Sequence, residues 1–490
     1  MTNLYTEIEK SAAEHPDAVF LTYGDLDLTY EQVLAGAGRL AGKLREIAPG
    51  DSESDLNIGL FAPNLPGFVV GFFGTLAANK VTVPINFLLS KDEIMTIGMH
   101  AGLRILIASG PLFEKAQAMA QGLPITVLNA DEFLAPTPIP DLPAVTRGDD
   151  DTAVLMYTSG TTGAPKGVEL THNNILANCN SVREAWTFSG GQTFVCVLPL
   201  FHSFGMLALM VLPGMLGARV VLVPQFQPKA LAEIFSRFPD CIFFGVAPMY
   251  QVLALMAKTK GVKYPNLNLA VAGAAALPNN VKTAFEEATG IELFQGYGLS
   301  EASPVVSINL PGAHKSGAIG RPVPGVEVQI WDEDCNQLAT GEIGELMVQG
   351  GNVMKGYYKN PDATAEAITS ERWLHTGDLA SIDEEGFITI AGRKKELIIC
   401  AGENIYPNEI EDVLMSHPAV ADAAVIGIPH DSKCEVPKAF VALHEGVSVE
   451  VSDLRNLCKE KLAAFKVPAD FEVREELPKS PTGKVLKRLL

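Results

Sequence analysis

At 490 residues the chain exceeds one ordinary hydrophobic core and predicts two or more domains. Its 47% apolar and 19% charged content excludes a disordered or fibrous protein. A net charge of −20 argues against nucleic acid or an anionic membrane surface as the main partner, so any phosphate ligand must bind in a local pocket.

The first ten residues read as an acidic amphipathic helix without signal character. Up to about residue 150, short apolar runs alternate with helical stretches. Ile58–Ala62, Val81–Ile85, Ile105–Ala108 and Ile125–Leu128 read as strands, and Ala35–Leu44 and Gly67–Ala78 as helices. That alternation predicts α/β architecture with parallel sheet covered by helices. The proline-rich piece Ala135–Pro143 reads as an extended connector.

Ala153–Met156 predicts a strand that runs into Thr158, Ser159, Gly160, Thr161, Thr162 and Gly163, with Lys166 close behind. Such a loop offers hydroxyls, accessible backbone N–H groups and a mobile cation, the inventory for wrapping an anionic oxygen. The composition also suits an ordinary surface turn. The spacing differs from the common phosphate loop, because Pro165 precedes the lysine and Gly167-Val168 follows it, which disfavours a P-loop nucleotidase.

Beyond it, Asn173–Ala185 reads as a helix and Phe194–Pro199 as a strand that delivers His202 at the start of a loop. A histidine there suits ligand contact or a structural role. Phe204–Ala218 is apolar but interrupted by Pro213-Gly214, and is shorter than the roughly 20 residues of a membrane span, so it predicts a buried helix. Two strand–helix pairs follow, over Ala218–Arg237 and Cys241–Lys258. Leu269–Ala272 then leads to a small-residue turn at Gly273, where a flat ring could approach the backbone. Gly296, Tyr297 and Gly298 free a tyrosine ring to lie on a planar ligand, and Glu301 beside Ser300 offers a hard oxygen for magnesium.

From Gly317 the pattern changes to alternating strands with tight turns, at Val326–Trp331, Gly341–Val348 and Phe387–Gly392, which predicts a small antiparallel sheet or barrel. Asp378 follows Gly377 in a loop between them and suits a pair of ribose hydroxyls. Gly392–Glu396 is a charged break that predicts a hinge. A unit of about a hundred residues follows, with strands near 397–405, 420–428, 439–443 and 471–473 and helices near 407–415 and 451–461. Near its end Pro478, Pro481 and Gly483 shape a loop that presents Lys484. The seven cysteines are scattered with no Cys-x-x-Cys pair, which predicts reduced thiols in a cytoplasm rather than a disulfide or zinc framework.

Seven separated strings occur in family order: Tyr157–Gly167, Pro199–Gly205, Gly296–Glu301, Thr376–Leu379, Gly392–Glu396, Ala401–Glu411 and Pro478–Lys487. Together they resemble the adenylate-forming (AMP-binding) superfamily from end to end. Gly402–Glu411 is most similar to its acyl-CoA synthetase, or fatty-acid–CoA ligase, branch. The resemblance implies a large α/β domain over 1–392 with a small β-barrel-like subdomain, a hinge at 393–395, and a small mobile α+β domain over 396–490. It implies a carboxylic acid, ATP and Mg²⁺ as reactants of a first step, and coenzyme A as thiol acceptor in a second. By the same resemblance Lys484, His202 and Thr161 hold catalytic positions. Thr158, Ser159, Gly160, Thr161, Thr162, Gly163 and Lys166 cradle phosphates, with Ser300 on the α-phosphate. Gly273, Gly296, Tyr297 and Gly298 lie at the adenine, Asp378 and Arg393 at the ribose, and Glu301 at the metal. Lys395 is the pivot, and Gly402 lines the pantetheine channel.

Ser300 and Lys395 stand where many relatives carry threonine and aspartate, and Cys434 stands where glycine is usual. The expected substrate is a medium- or long-chain fatty acid, with an aryl acid or a carrier-protein acceptor as alternatives. A non-catalytic sensor would have lost a critical group, yet Lys484, Lys166 and Glu301 are all present. The expected protein is a cytoplasmic monomer or homodimer with no transmembrane segment.

Overall fold

The structure, a computed structural model, describes residues 3–138, 140, 144–158, 165–400, 403–430, 433–479 and 484–490. Among them, two large sheets share one continuous core. In the first, the strands Leu293–Gly298, Leu267–Ala272, Cys241–Gly245, Thr193–Cys196, Arg219–Leu222 and Val19–Tyr23 lie side by side and parallel. Antiparallel strands close both edges. In the second, Thr152–Thr158, Val81–Pro84, Asn57–Phe61, Ile105–Ala108 and Thr126–Asn129 run parallel.

The helix Pro66–Ala77 is buried along its whole length, which explains a sequence that is apolar on every face. It packs on Tyr30–Ile47 closely enough that a Cβ on Gly74 would come within 3.0 Å of the Ala37 carbonyl oxygen. Phe68, Phe72 and Phe73 are each 0% exposed, so each burial contributes about 1.5–3 kcal/mol.

The expected strand ending at Thr158 forms a hairpin with Lys166–Thr171, which places Thr158 directly opposite Lys166. Thr171 then caps the helix His172–Ala185 by accepting from the Asn174 backbone. The apolar stretch after His202 is a helix of three pieces, Ser203–Met206, a π-helical turn over Leu207–Val211, and Leu212–Met215. Pro213, which has no N–H to donate, lies just past the π-helical turn within this continuous run. No helix of the described residues is long and apolar enough to cross a membrane.

The region after Gly317 is a four-stranded antiparallel sheet ordered Val326–Trp331, Gly344–Gly350, Leu374–Ile382 and Ile388–Arg393. The large hydrophobic cluster ends at Ile388, and a second begins at Ile398. Between them Lys394–Glu396 forms a single 3-10 turn. The second cluster lies between a sheet built on Val420–His430 and Cys434–Leu443 and the helices Pro407–Met415 and Val451–Lys461. The opposite face of that sheet, at Ala424, Phe440 and Ala442, is covered by Leu477 with Val485 and Leu490 from the C-terminal segment.

Candidate active site

Three of the residues singled out above form one connected group where the parallel part of the first large sheet ends. The last parallel strand of the first large sheet, Leu293–Gly298, carries Tyr297, whose hydroxyl donates to one oxygen of Asp378. The other Asp378 oxygen lies 2.7 Å from Nε of Arg393, the residue directly opposite it in the antiparallel ladder. The Asp378 side chain is 4% exposed, and its backbone N–H donates to Thr376 Oγ1 at 3.1 Å. Burial and the neighbouring Asp378 carboxylate push the Tyr297 hydroxyl well above its ordinary pKa, so it stays a neutral donor. Gly298 has no room for a side chain, since a Cβ would fall 2.0 Å from the Pro304 carbonyl oxygen.

Lys484, from the far end of the chain, lies near enough to this group for the charges of Arg393 and Asp378 to act on it. Burial, and then the charge of Arg393, lower its pKa, while Glu396 and Asp378 oppose that shift. The loop that carries it is pinned on both sides. Lys479 bridges to Val485, and Leu486 N–H donates to the Pro478 carbonyl at 2.7 Å. Lys479 pairs with Asp422 at 2.6 Å, and Lys487 pairs with Glu396 at 2.8 Å and Glu411 at 2.7 Å.

A second group surrounds Glu301, in the 3-10 turn Ser300–Ala302. The Tyr357 hydroxyl donates to Glu301 Oε1 at 3.0 Å, and the Lys166 ammonium lies 4.7 Å from the centre of the Tyr357 ring. One aromatic ring thus joins the lysine at the mouth of the phosphate hairpin to the carboxylate expected at the metal. Among the described residues no three His, Cys, Asp or Glu side chains cluster as a metal cage. A Mg²⁺ that arrives with a nucleotide needs only one or two carboxylates beside phosphate oxygens and water, and Glu301 fits that requirement.

His202 heads the three-piece helix. Burial lowers its pKa to about 4, so the ring is neutral at physiological pH. Its Nε2 is buried without a hydrogen-bond partner among the described residues. The next residue, Ser203, contacts Ser300 hydroxyl to hydroxyl at 3.0 Å, which ties the histidine turn to the Glu301 turn. Gly273 receives a ring from the protein itself, because a Cβ there would meet Phe204 at 2.8 Å. Lys395 sits in the middle of the 3-10 turn between the two clusters. Ser159, Gly160, Thr161, Thr162, Gly163 and Gly402 lie outside the described residues.

Three positioning residues were not read from the sequence. Glu345 accepts from the Gly377 N–H at 3.1 Å, from Lys394 at 2.9 Å and from His375 at 3.2 Å. Burial alone would raise its pKa, but the hydrogen bonds from His375 and Lys394 outweigh burial and hold it at about 2. A lone acid inside the apolar strand Gly344–Gly350 was the available signal. Asn64 is 4% exposed; it donates to the Leu198 carbonyl at 2.9 Å and accepts from the Leu200 N–H at 3.0 Å, which fixes the approach to His202. Tyr357 is the third, and its sequence context gave no hint of Glu301.

The family described as AMP-binding enzyme matches residues 8–358, and AMP-binding enzyme C-terminal domain matches residues 409–484. A long-chain-fatty-acid–CoA ligase of Bacillus subtilis (strain 168) is 34% identical over 99% of this chain and 94% of its own. A feruloyl-CoA synthase of Amycolatopsis sp is 34% identical over 98% of this chain and 96% of its own. ATP-bound MatB from Rhodopseudomonas palustris superposes with a TM-score of 0.89 at 27% identity, covering 100% of this chain and 98% of that one. The apo form of the same protein superposes at 0.79 and 27% identity, covering 99% and 97%. With matches over nearly its full length in sequence and in fold, the chain belongs to the AMP-binding enzymes, the adenylate-forming family.

Proposed function

We propose that this protein is an ATP-dependent carboxylate–CoA ligase acting on a medium- or long-chain fatty acid. The observation that carries the reading is that Lys484, from the C-terminal segment, lies within electrostatic reach of Arg393 and Asp378 in the Tyr297–Asp378–Arg393 group. A carboxylate and ATP repel each other, so their encounter needs a cation that touches both.

In the first step a carboxylate oxygen attacks the α-phosphorus of ATP, the bond to the bridging oxygen breaks, and pyrophosphate leaves. Lys484 screens the carboxylate and the α-phosphate as charge builds there, and Ser300 donates to the same phosphate. Lys166, with the hydroxyls of Ser159, Thr161 and Thr162, holds the departing β- and γ-phosphates. Tyr297 stacks on adenine, with Gly296 and Gly298 leaving room beside it, and Asp378 and Arg393 hold the ribose. Glu301 would hold a Mg²⁺ ion, which would supply neutralisation of the phosphate charge. In the second step the coenzyme A sulfur attacks the acyl carbon of the acyl-adenylate, AMP leaves, and the thiol proton goes to solvent.

One site runs both steps if residues 396–490 rotate about Lys395, relative to 1–392, between them. That withdraws Lys484 and brings the hairpin around Gly402–Asn404 over the site. The better superposition on ATP-bound MatB than on the apo form supports reading this arrangement as the adenylating one. Buried apolar side chains from Met206 to Leu212 follow His202 and support an aliphatic pocket. The equally similar feruloyl-CoA synthase favours an aryl acid as the second reading. Cytoplasmic localisation goes with the reduced cysteines.

The test is pyrophosphate release over aliphatic acids from acetate to stearate and a set of aryl acids, with and without coenzyme A. Acid-dependent release with an acyl-CoA product is expected, highest for the longer aliphatic acids. The absence of acid-dependent release would overturn the ligase reading, and release without acyl-CoA would point to a carrier protein.

A further inference from the structure

Two of the seven cysteines lie together in the fold. The antiparallel register of Ile398–Cys400 against Cys434–Leu443 puts Cys400 directly opposite Cys434. Directly opposed residues in such a ladder have Cα atoms about 4.5–5.5 Å apart, inside the roughly 4.4–6.8 Å range of a disulfide. Cys400 is 2% exposed, whereas Cys434 is open to solvent, and both are free thiols. Cys434 also has φ of +69°, a left-handed conformation that glycine adopts without strain and a cysteine does not. Cys335 shares a positive φ of +63°, so it is the pairing with Cys400 that singles out Cys434.

We propose that Cys434 and Cys400 form a thiol modification site, closing a reversible disulfide on exposure to low-molecular-weight disulfides such as glutathione disulfide. The Cys434 thiolate attacks one sulfur of the reagent, whose S–S bond breaks and releases one thiolate. The Cys400 thiolate then attacks the Cys434 sulfur and releases the second. Two protein thiols are oxidised, one reagent disulfide is reduced to two thiols, and the two protons pass to those thiols. The exposed cysteine meets the reagent and the buried one resolves the mixed disulfide.

The crosslink falls at a mechanical weak point. The hairpin of Ile398–Cys400 and Glu403–Ile405 joins the rest of its sheet through the Cys400–Cys434 pairing, supported by the Ile399 N–H donating to Glu435 at 3.1 Å. A covalent link there fixes the hairpin that, in the function proposed above, lines the thiol channel. Oxidation is therefore expected to slow thioester formation from supplied acyl-adenylate about tenfold while sparing acid-dependent pyrophosphate release. This catalytic effect rests on the proposed function, but formation of the crosslink does not.

The experiment treats the full-length protein with glutathione disulfide, alkylates the remaining thiols and maps the peptides by mass spectrometry. The expected product joins the Cys400 and Cys434 peptides, is reversed by dithiothreitol, and is absent in Cys434→Gly, which keeps wild-type activity under the oxidant. In Cys400→Ala, Cys434 should instead retain one glutathione. Exposed Cys335 is the internal control and should gain glutathione without a partner. A wild-type protein with glutathione on Cys434 and an alkylated Cys400, or with both thiols alkylated, overturns the proposal. A crosslink that leaves both half-reactions unchanged upholds the site and counts against the hairpin's role in the thiol step.

Discussion

Replacing Lys487 by methionine keeps most of the side chain's bulk and removes its charge. The ammonium lies 2.8 Å from Glu396 and 2.7 Å from Glu411, and the three side chains are 16%, 30% and 17% exposed. Stranding one partner of a buried pair costs about 3–5 kcal/mol. Glu396 is open enough to recover hydration, so about 3 kcal/mol is expected at neutral pH, at the lower end of that range. Burial raises the Glu411 carboxyl, and Lys487 opposes that rise. Without the lysine the carboxyl climbs further. The loss is then greatest at neutral pH and shrinks as the pH falls through the raised value and the carboxyl takes up a proton. Limited proteolysis across a urea series at several pH values measures it. Lys487 also anchors the loop that carries Lys484, and a misplacement of about 1 Å at a reacting group costs about 100-fold in rate. Pyrophosphate release should fall by that factor, while thioester formation from supplied acyl-adenylate stays within about threefold. Lys487→Arg should restore most of both properties. Equal loss in the two half-reactions, or an unchanged urea midpoint, would refute the reasoning.

Lys484→Ala should lower pyrophosphate release about 10³-fold and leave thioester formation from acyl-adenylate largely intact, as measured by separate assays of the two half-reactions. Tyr357→Phe keeps the ring beside Lys166 but removes the donor to Glu301. The Mg²⁺ concentration for half-maximal release should rise severalfold, and direct titration of Mn²⁺ with ATP by paramagnetic resonance should show the same weakening. Glu345→Gln should destabilise the protein by about 2 kcal/mol at neutral pH, discounted for the partial exposure of Lys394 and His375. The Glu345 carboxyl is held at about 2, below its ordinary value, so its contribution is full above about pH 4.5 and fades as pH falls toward 2. Urea midpoints of wild type and variant should therefore converge on acidification.

What the residues alone suggested rested on chemistry carried within one short string. Gly296-Tyr297-Gly298 announces a freed ring, and Pro478 to Lys484 announces a shaped loop, because glycine and proline constrain the backbone locally. What the strings could not give is convergence. Tyr297, Asp378 and Arg393 become one hydrogen-bonded group only through the meeting of the last parallel strand of one sheet with a separate antiparallel sheet. Asn64 escaped notice because its partners, Leu198 and Leu200, are backbone groups in the distant loop after Thr193–Cys196, and any residue there would have offered the same carbonyl and N–H. Lys166–Thr171 went unread as a strand, since its partner Thr152–Thr158 lies across the phosphate loop and supplies half of the pattern. The parallel sheets were legible because strands buried on both faces leave continuous apolar runs.

Both oxygens of Asp378 already have protein partners, the Tyr297 hydroxyl and the Arg393 guanidinium. In the function proposed above, a ribose that docks there exchanges hydrogen bonds as much as it adds them, so the net gain is smaller than the number of contacts suggests. The same arrangement eases departure. When AMP leaves, the carboxylate falls back on neighbours already within reach, and no buried charge is stranded during release. An enzyme that must discharge a nucleotide in every cycle benefits from a grip with such a resting partner, since binding that tightened without limit would slow turnover.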